Sequence, residues 1–184
     1  MSNSESRKRA ADLRQRQIRA KARSFDSNSA PPRFVADVML GRLAKWLRIA
    51  GFDVLYSNRY TDEELVLLST KEDRILLSRD TRLLIRRLVR EFIYLESEKI
   101  HEQIRQIFHT TATGAIPGLL TRCLACNEVL TEIAPEKARE RVPPYVFQTQ
   151  RTFKICPRCR KIYWAGTHRQ SVLRVLEKLT SNQP

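Results

Sequence analysis

Apolar residues in this chain fall in short runs and in stripes, and their spacing predicts the elements. Phe34-Val35-Ala36 is an apolar run that predicts a short buried strand. After it, Met39, Leu40, Leu43, Trp46, Leu47 and Ala50 recur at helical spacing, while Arg42, Lys45 and Arg48 take polar positions. That pattern predicts an amphipathic helix over 38–50. Gly51 is placed to end it, because glycine readily takes the left-handed backbone that closes a helix. Val54-Leu55-Tyr56 predicts a second strand. Thr61 and Glu64 make a capping box that opens a helix running to about residue 70. Ile75-Leu76-Leu77 predicts a third strand, 81–89 a helix, 92–95 a fourth strand, and 97–108 a helix with Ile100, Ile104 and Ile107 on one face. Strands alternating with helices of this length predict right-handed βαβ units and a parallel sheet flanked by helices, an α/β fold.

The flanks read differently. Residues 1–32 hold eight Lys or Arg against three acids, and their large apolar residues are only Leu13, Ile18 and Phe25. Such a segment is expected to be a disordered basic arm or a lone frayed helix. The stretch 24–32, with Ser, Asn and Pro-Pro, reads as a linker, and so does 110–119 with two Gly and a Pro. The pattern therefore divides the chain into an arm (1–32), an α/β domain (33–109) and a smaller module (120–180).

Charge changes the picture of partners rather than of fold. The chain has 184 residues, 42% of them hydrophobic, and 34 Lys or Arg against 20 Asp or Glu, a net charge of +14. A strongly cationic soluble chain is drawn to polyanions, RNA among them. The arm fits phosphates; a solvated tail or an Arg-rich organelle transit peptide are the other readings. No apolar run reaches the ~18 residues of a membrane-spanning helix, and the start lacks the apolar stretch of a secretory signal. With four cysteines in two CxxC pairs, this favours a reducing, cytoplasmic setting.

Those cysteines are Cys123, Cys126, Cys156 and Cys159, with 29 residues between the pairs. Two CxxC knuckles complete a tetrahedral four-thiolate site, which zinc prefers; disulfides and a redox CxxC are the alternatives. Four protein ligands leave no open position, so the expected zinc is structural. Arg122, Lys154, Arg158, Arg160, Lys161 and Arg169 surround the motif, with Phe153, Tyr163 and Trp164 between them. Basic groups grip phosphates and aromatic faces stack on unpaired bases, although Phe153 and Tyr163 equally suit the module's core. His168 could contact a phosphate, move a proton, or serve structure alone.

Three carboxylates are predicted at the carboxyl edge of the sheet, where open α/β sheets bind ligands. Asp37 follows the first strand, Asp62 opens the helix after the second, and Asp80 follows the third. Each has a plain explanation as a helix cap. Together they would cage Mg²⁺ or Mn²⁺, hard cations that activate water for attack on a phosphodiester. Glu63, Glu64 and Glu96 are further candidates.

The run 34–48, FVADVMLGRLAKWLR, resembles the opening of the Mut-seven C-terminal RNase domain, a family of PIN-like nucleases. The resemblance continues through Gly51–Leu55, Arg74–Asp80, Arg122–Asn127, Cys156–Cys159 and Tyr163–His168, and so spans about residues 33–175, leaving the arm outside. It implies a PIN-like sheet fused to a zinc ribbon, and a metal-dependent ribonuclease in which Asp37 and Asp80 match the family's acidic positions. Asp62, Glu63 and Glu64 compete for the acid between them. On this reading the chain is an endoribonuclease acting on RNA such as tRNA, rRNA or the ribosome, with Arg42, Lys45 and Arg79 steadying the backbone and Arg158, Arg160, Lys161 and His168 positioning it. A non-catalytic RNA- or ribosome-binding adaptor is the alternative; a phosphoacceptor domain would need a Lys after a fifth strand, which the sequence does not offer.

Overall fold

Successive residues of a strand face opposite ways, and each strand of the main sheet supplies two cores. The computed structural model describes residues 3–21, 30–111, 113, 116–166 and 169–180. Strands β1 (Phe34–Ala36), β2 (Val54–Tyr56), β3 (Ile75–Ser78) and β4 (Phe92–Tyr94) form an all-parallel sheet in the order β2-β1-β3-β4. Phe34, Ala36, Ile75, Leu77 and Ile93 enter one core; Val35, Leu76 and Phe92 enter the other.

Helices α1 (Asn3–Lys21), α2 (Gly41–Ile49), α3 (Asp62–Lys71), α4 (Thr81–Leu84) and α5 (Ile100–Thr110) flank this sheet. Leu43 and Leu47 of α2 and Ile104 and Ile107 of α5 fill the first core; Leu65 of α3 and Leu83 and Leu84 of α4 fill the second. The capping box opens α3 as the sequence predicts: Thr61 Oγ1 accepts the Glu64 N–H at 3.2 Å, and Glu64 Oε2 accepts the Thr61 N–H at 2.8 Å. A 3-10 turn, Val38–Leu40, precedes α2, so Met39 leaves the apolar stripe and is 53% exposed. Helix α4 stops at Leu84, short of the predicted residue 89, because 85–91 turns back and buries Val89 while Leu88 points outward.

Beyond the sheet, β5 (Thr131–Ile133), β6 (Phe153–Ile155) and β7 (Ile162–Trp164) form an antiparallel sheet in that order. Between β5 and β6 lie a 3-10 turn (Pro135–Arg141) and α6 (Pro144–Thr149), which close a small core of Ala138, Val142 and Phe153. The segment before β5 is pinned to the end of α2: Leu120 N–H reaches the Ile49 carbonyl at 2.9 Å, and Gly118 N–H the Ala50 carbonyl at 3.2 Å. Gly51, at φ +96°, is required here, since a Cβ would lie 2.3 Å from the Gly118 oxygen.

Three expectations change. The described part of the N-terminal arm is a helix that joins the fold: Leu13 is fully buried in the second core, Arg14 pairs with Glu96, and the Arg16 guanidinium lies 5.1 Å over the Phe92 ring. β4 is an edge strand, and the helix docks beside it through these three residues. Arg48, read as part of a polar face, is 4% exposed. It lies four residues after buried Ala44 and so shares the inner side of α2. The final helix, α7 (Arg169–Thr180), packs on α5 and buries Leu176 and Leu179 in the first core, so the end of the 120–180 module returns to the parallel sheet's domain.

Candidate metal centre and carboxylate edge

The four cysteine Sγ atoms lie within 4.8 Å of one another. Three of their separations, Cys123–Cys159, Cys123–Cys126 and Cys126–Cys156, are 3.5, 3.4 and 3.3 Å. Thiolates about 2.3 Å from a tetrahedral zinc stand roughly 3.8 Å apart, so this donor set could hold that ion. All four thiols are free of disulfides. Each knuckle closes with an amide pointing at sulfur: Cys126 N–H to Cys123 Sγ at 3.5 Å and Cys159 N–H to Cys156 Sγ at 3.4 Å. The residue after each pair, Asn127 at φ +68° and Arg160 at φ +61°, takes the left-handed backbone that turns the knuckle.

Tyr163 completes the sulfur environment. Its hydroxyl accepts the Leu124 N–H at 3.1 Å, which leaves its own proton to face Cys123 Sγ at 3.1 Å. Burial would raise the Cys123 thiol, but hydrogen bonds from Tyr163 and from the Cys126 and Ala125 amides outweigh it and bring the pKa to about 6. Burial and the neighbouring thiols push Cys126 up to about 12. Of these two thiols, Cys123 therefore ionises first.

The first knuckle is clamped to the parallel sheet's domain. Arg48 donates Nε and Nη2 to the Val54 carbonyl at 3.0 and 2.8 Å, and Nη1 to the carbonyls of Leu124 and Ala125 at 3.0 and 3.1 Å. Burial lowers its pKa, and the nearby Cys123 and Cys126 work against that shift. Asn127 accepts the Val54 N–H at 3.0 Å and donates to Asp53 at 2.7 Å. Asp53 also receives Arg74 at 2.6 Å and faces Arg122 at 3.5 Å. Burial opposes ionisation of Asp53, but the Arg74 and Asn127 hydrogen bonds with the two arginine charges hold its carboxyl below the usual range. Sequence reasoning passed over Arg48, Asp53 and Asn127. The signals were the position of Arg48 one turn from Ala44 and an Asn where the knuckle needs φ above zero.

At the carboxyl edge, Ser78 links the Asp37 carboxylate to the Asp80 backbone. Asp37 is 4% exposed; Oδ1 accepts the Val38 N–H at 2.6 Å and Oδ2 accepts the Ser78 hydroxyl at 2.5 Å. Ser78 Oγ in turn accepts the Asp80 N–H at 2.8 Å, and Asp80 caps α4 through the Arg82 N–H at 2.7 Å. Asp62 and Glu63 turn instead to Arg86, at 2.7 and 2.9 Å, and Arg86 holds the Glu63 carboxyl below its usual range. Glu64 is spent on the capping box and Glu96 on Arg14. Among the described residues, the cysteines are the only group of three or more ligand-type side chains gathered within a single ion's reach.

The expected RNA-facing cations divide between two places. Arg42 and Lys45 are exposed on α2; Arg79 pairs with Glu98 at 2.6 Å and keeps a buried Nε with no partner. Arg158, Arg160 and Lys161 are exposed on the second knuckle, and His168 lies outside the described residues. No described helix is long and apolar enough to cross a membrane. In comparisons with known proteins, residues 32–176 match the family described as Mut7-C RNAse domain. No curated protein and no solved structure matches the chain.

Proposed function

The chain belongs to the Mut7-C RNase domain family, and from that premise we propose that it is a metal-dependent endoribonuclease with a PIN-like active edge and a structural zinc ribbon, working in the cytoplasm. One observation carries the hydrolytic reading. Asp37 is buried at the carboxyl edge, its oxygens contact only neutral donors, and no basic side chain among the described residues pairs with it. A buried carboxylate without a countercharge is costly, and a cation is the missing partner. Mg²⁺ or Mn²⁺ suits this place, because Mg²⁺ keeps several waters and needs only one or two carboxylates plus substrate phosphate. When bound, the ion supplies Lewis acidity and a lowered water pKa for phosphodiester hydrolysis.

The chain's own residues do the rest. Ser78 orients Asp37, and Asp80, whose backbone N–H bonds the same serine, supplies the second carboxylate. Asp62 or Glu63, released from Arg86, is the third. The half-buried Arg79 guanidinium is a donor for a phosphate oxygen, with Arg42 and Lys45 gripping the backbone. Cys123, Cys126, Cys156 and Cys159 hold zinc with no open position, so that ion folds the ribbon.

The adaptor reading draws on a specific observation: Asp37 and Asp80 each cap a helix, a task asparagine performs nearly as well. Asp37→Asn and Asp80→Asn separate the two. RNA cleavage and thermal unfolding are measured with and without Mn²⁺. A ligand role predicts that both variants lose cleavage and lose a stabilisation of about 2.7 kcal/mol at a hundred times the Mn²⁺ Kd. Wild-type protein that gains no stability from Mn²⁺ and cuts no RNA would leave only the adaptor.

A further inference from the structure

The acids that follow the parallel strands are mostly answered by arginines. Arg14 takes Glu96, Arg79 takes Glu98, and Arg86 takes Asp62 and Glu63 together. Asp37 and Asp80 are the exceptions. Their carboxylates accept from the Val38 and Arg82 amides and the Ser78 hydroxyl, and make no ion pair among the described residues.

Arg86 differs from the other arginines in what it holds. Nη2 donates to Asp62 Oδ2 at 2.7 Å, and Nη1 donates to Glu63 Oε1 at 2.9 Å. One planar fork thus spans two carboxylates, the geometry with which arginine also grips a phosphate. The Glu63 hydrogen bond raises the Arg86 pKa, and the charges of Asp62, Glu63 and Asp80 add to it. Acids at the head of α3 and at the head of α4 therefore act on the same guanidinium. A helix N-terminus accounts for Asp62 and Glu63 by itself. It does not account for an arginine that reaches them from the turn after α4, 23 and 24 residues further along the chain. The three side chains are 39, 43 and 76% exposed, so the fork adds little stability and opens easily.

We propose that Arg86 is an exchangeable countercharge of this edge: it holds Asp62 and Glu63 while the edge carries no divalent cation, and turns to a phosphate oxygen of RNA when such a cation takes those acids. A carboxylate bound to arginine draws a second cation less, and an arginine bound to two carboxylates draws a phosphate less. Each ligand therefore favours the other, because each takes one half of the same ion pair. The proposal rests on the ribonuclease reading for its ion and its polymer, and adds the residue through which the two are coupled.

The test uses the full chain carrying its zinc, with each ligand measured in the absence of the other. Thermal unfolding against Mn²⁺, without RNA, gives the Mn²⁺ Kd. Arg86→Gln is expected to lower that Kd roughly fivefold, the low end of ordinary coupling between sites. Arg82→Gln removes an equal charge from the same segment; Arg82 is exposed and has no ion pair among the described residues. Its variant is expected to change the Kd by less than about twofold. Binding of a single-stranded oligoribonucleotide, with no divalent cation added, then follows a double-mutant cycle. Asp62→Asn with Glu63→Gln frees Arg86 and is expected to tighten RNA binding roughly fivefold; in the Arg86→Gln background the same pair should change it by less than about twofold. Equal tightening in both backgrounds is a general charge effect and overturns the proposal. So does an Arg86→Gln variant that binds Mn²⁺ more weakly than wild type, the result expected of a clamp that only shapes the acids. If Mn²⁺ stabilises wild type and the two arginine variants shift its Kd alike, the exchange fails and the nuclease stands. Wild type that gains no stability from Mn²⁺ defeats the nuclease reading and the exchange with it.

Discussion

The two CxxC knuckles have the same local geometry and opposite surroundings. Each ends in a left-handed residue and each turns an amide toward sulfur. The first presses Asn127, 6% exposed, against Asp53 and Val54, and offers its carbonyls to Arg48. The second shows Arg158, Arg160 and Lys161 to solvent, with Arg158 only 3.9 Å from its nearest acid, Glu128. Local sequence makes the loop; its neighbours decide whether it becomes an anchor or a surface. Arg160 sharpens the contrast, because it holds a left-handed backbone that a glycine would take without strain.

On the zinc reading both knuckles share one metal site, so removing the ion should erase the difference between them. Cys123→Ser and Cys156→Ser are each expected to reduce zinc from about one per chain to none and to melt the ribbon, since structural zinc contributes about 10–16 kcal/mol in isolated fingers. Metal analysis and amide exchange at Asn127 and Arg160 measure this. A variant that keeps both zinc and protection on three cysteines would break the shared-site account. Loss of the first knuckle should also destabilise the parallel sheet's domain, because Arg48 would keep its burial and lose two of its carbonyl partners.

The next effect separates the anchor from the surface by sign. Asn127→Ala leaves the Val54 N–H and Asp53 short of a partner, and should cost about 2–3 kcal/mol in denaturant unfolding. Arg160→Gly should be neutral or stabilising by up to about 1 kcal/mol. Equal losses at the two positions would mean that both knuckles are anchors.

Acid should weaken the anchor before it touches the surface. The folded pKa of Asp53 lies below its unfolded value of about 3.9, so its contribution is complete above that pH and is lost as pH falls through the folded value. Asp53→Asn should flatten the acid side of the stability profile, and an unchanged profile would show that Asn127 and Arg48 hold the seam without it. The smallest effect belongs to the surface: Arg158→Ala should change stability by less than about 0.5 kcal/mol while lowering the salt slope of RNA binding by about 0.7.

The α/β order, the strand positions, the capping box and the cysteine set were legible in the sequence because each rests on contacts only a few residues apart. Phe34–Ala36 and Val54–Tyr56 are apolar runs too short to be helices. The two CxxC motifs build two-ligand loops whatever lies between them. The docking of the N-terminal helix was not legible, because it turns on a leucine and an edge strand 79 residues away, Leu13 to Phe92. Nor was α7, whose Leu176 and Leu179 find their core only once α5 is in place.

The sequence by itself determined which side chains are available for chemistry: four thiols, a set of acids at strand ends, and an excess of cations. Tertiary structure decided which of them lie together. It tied the Asp37 carboxylate to the Asp80 backbone through Ser78 and gave Asp62 and Glu63 to Arg86, which follows α4. It also buried Arg48, a residue whose charge alone argues for solvent. Burial of a charge is settled by the partners that reach it, and for Arg48 two of those carbonyls lie 76 and 77 residues further along the chain.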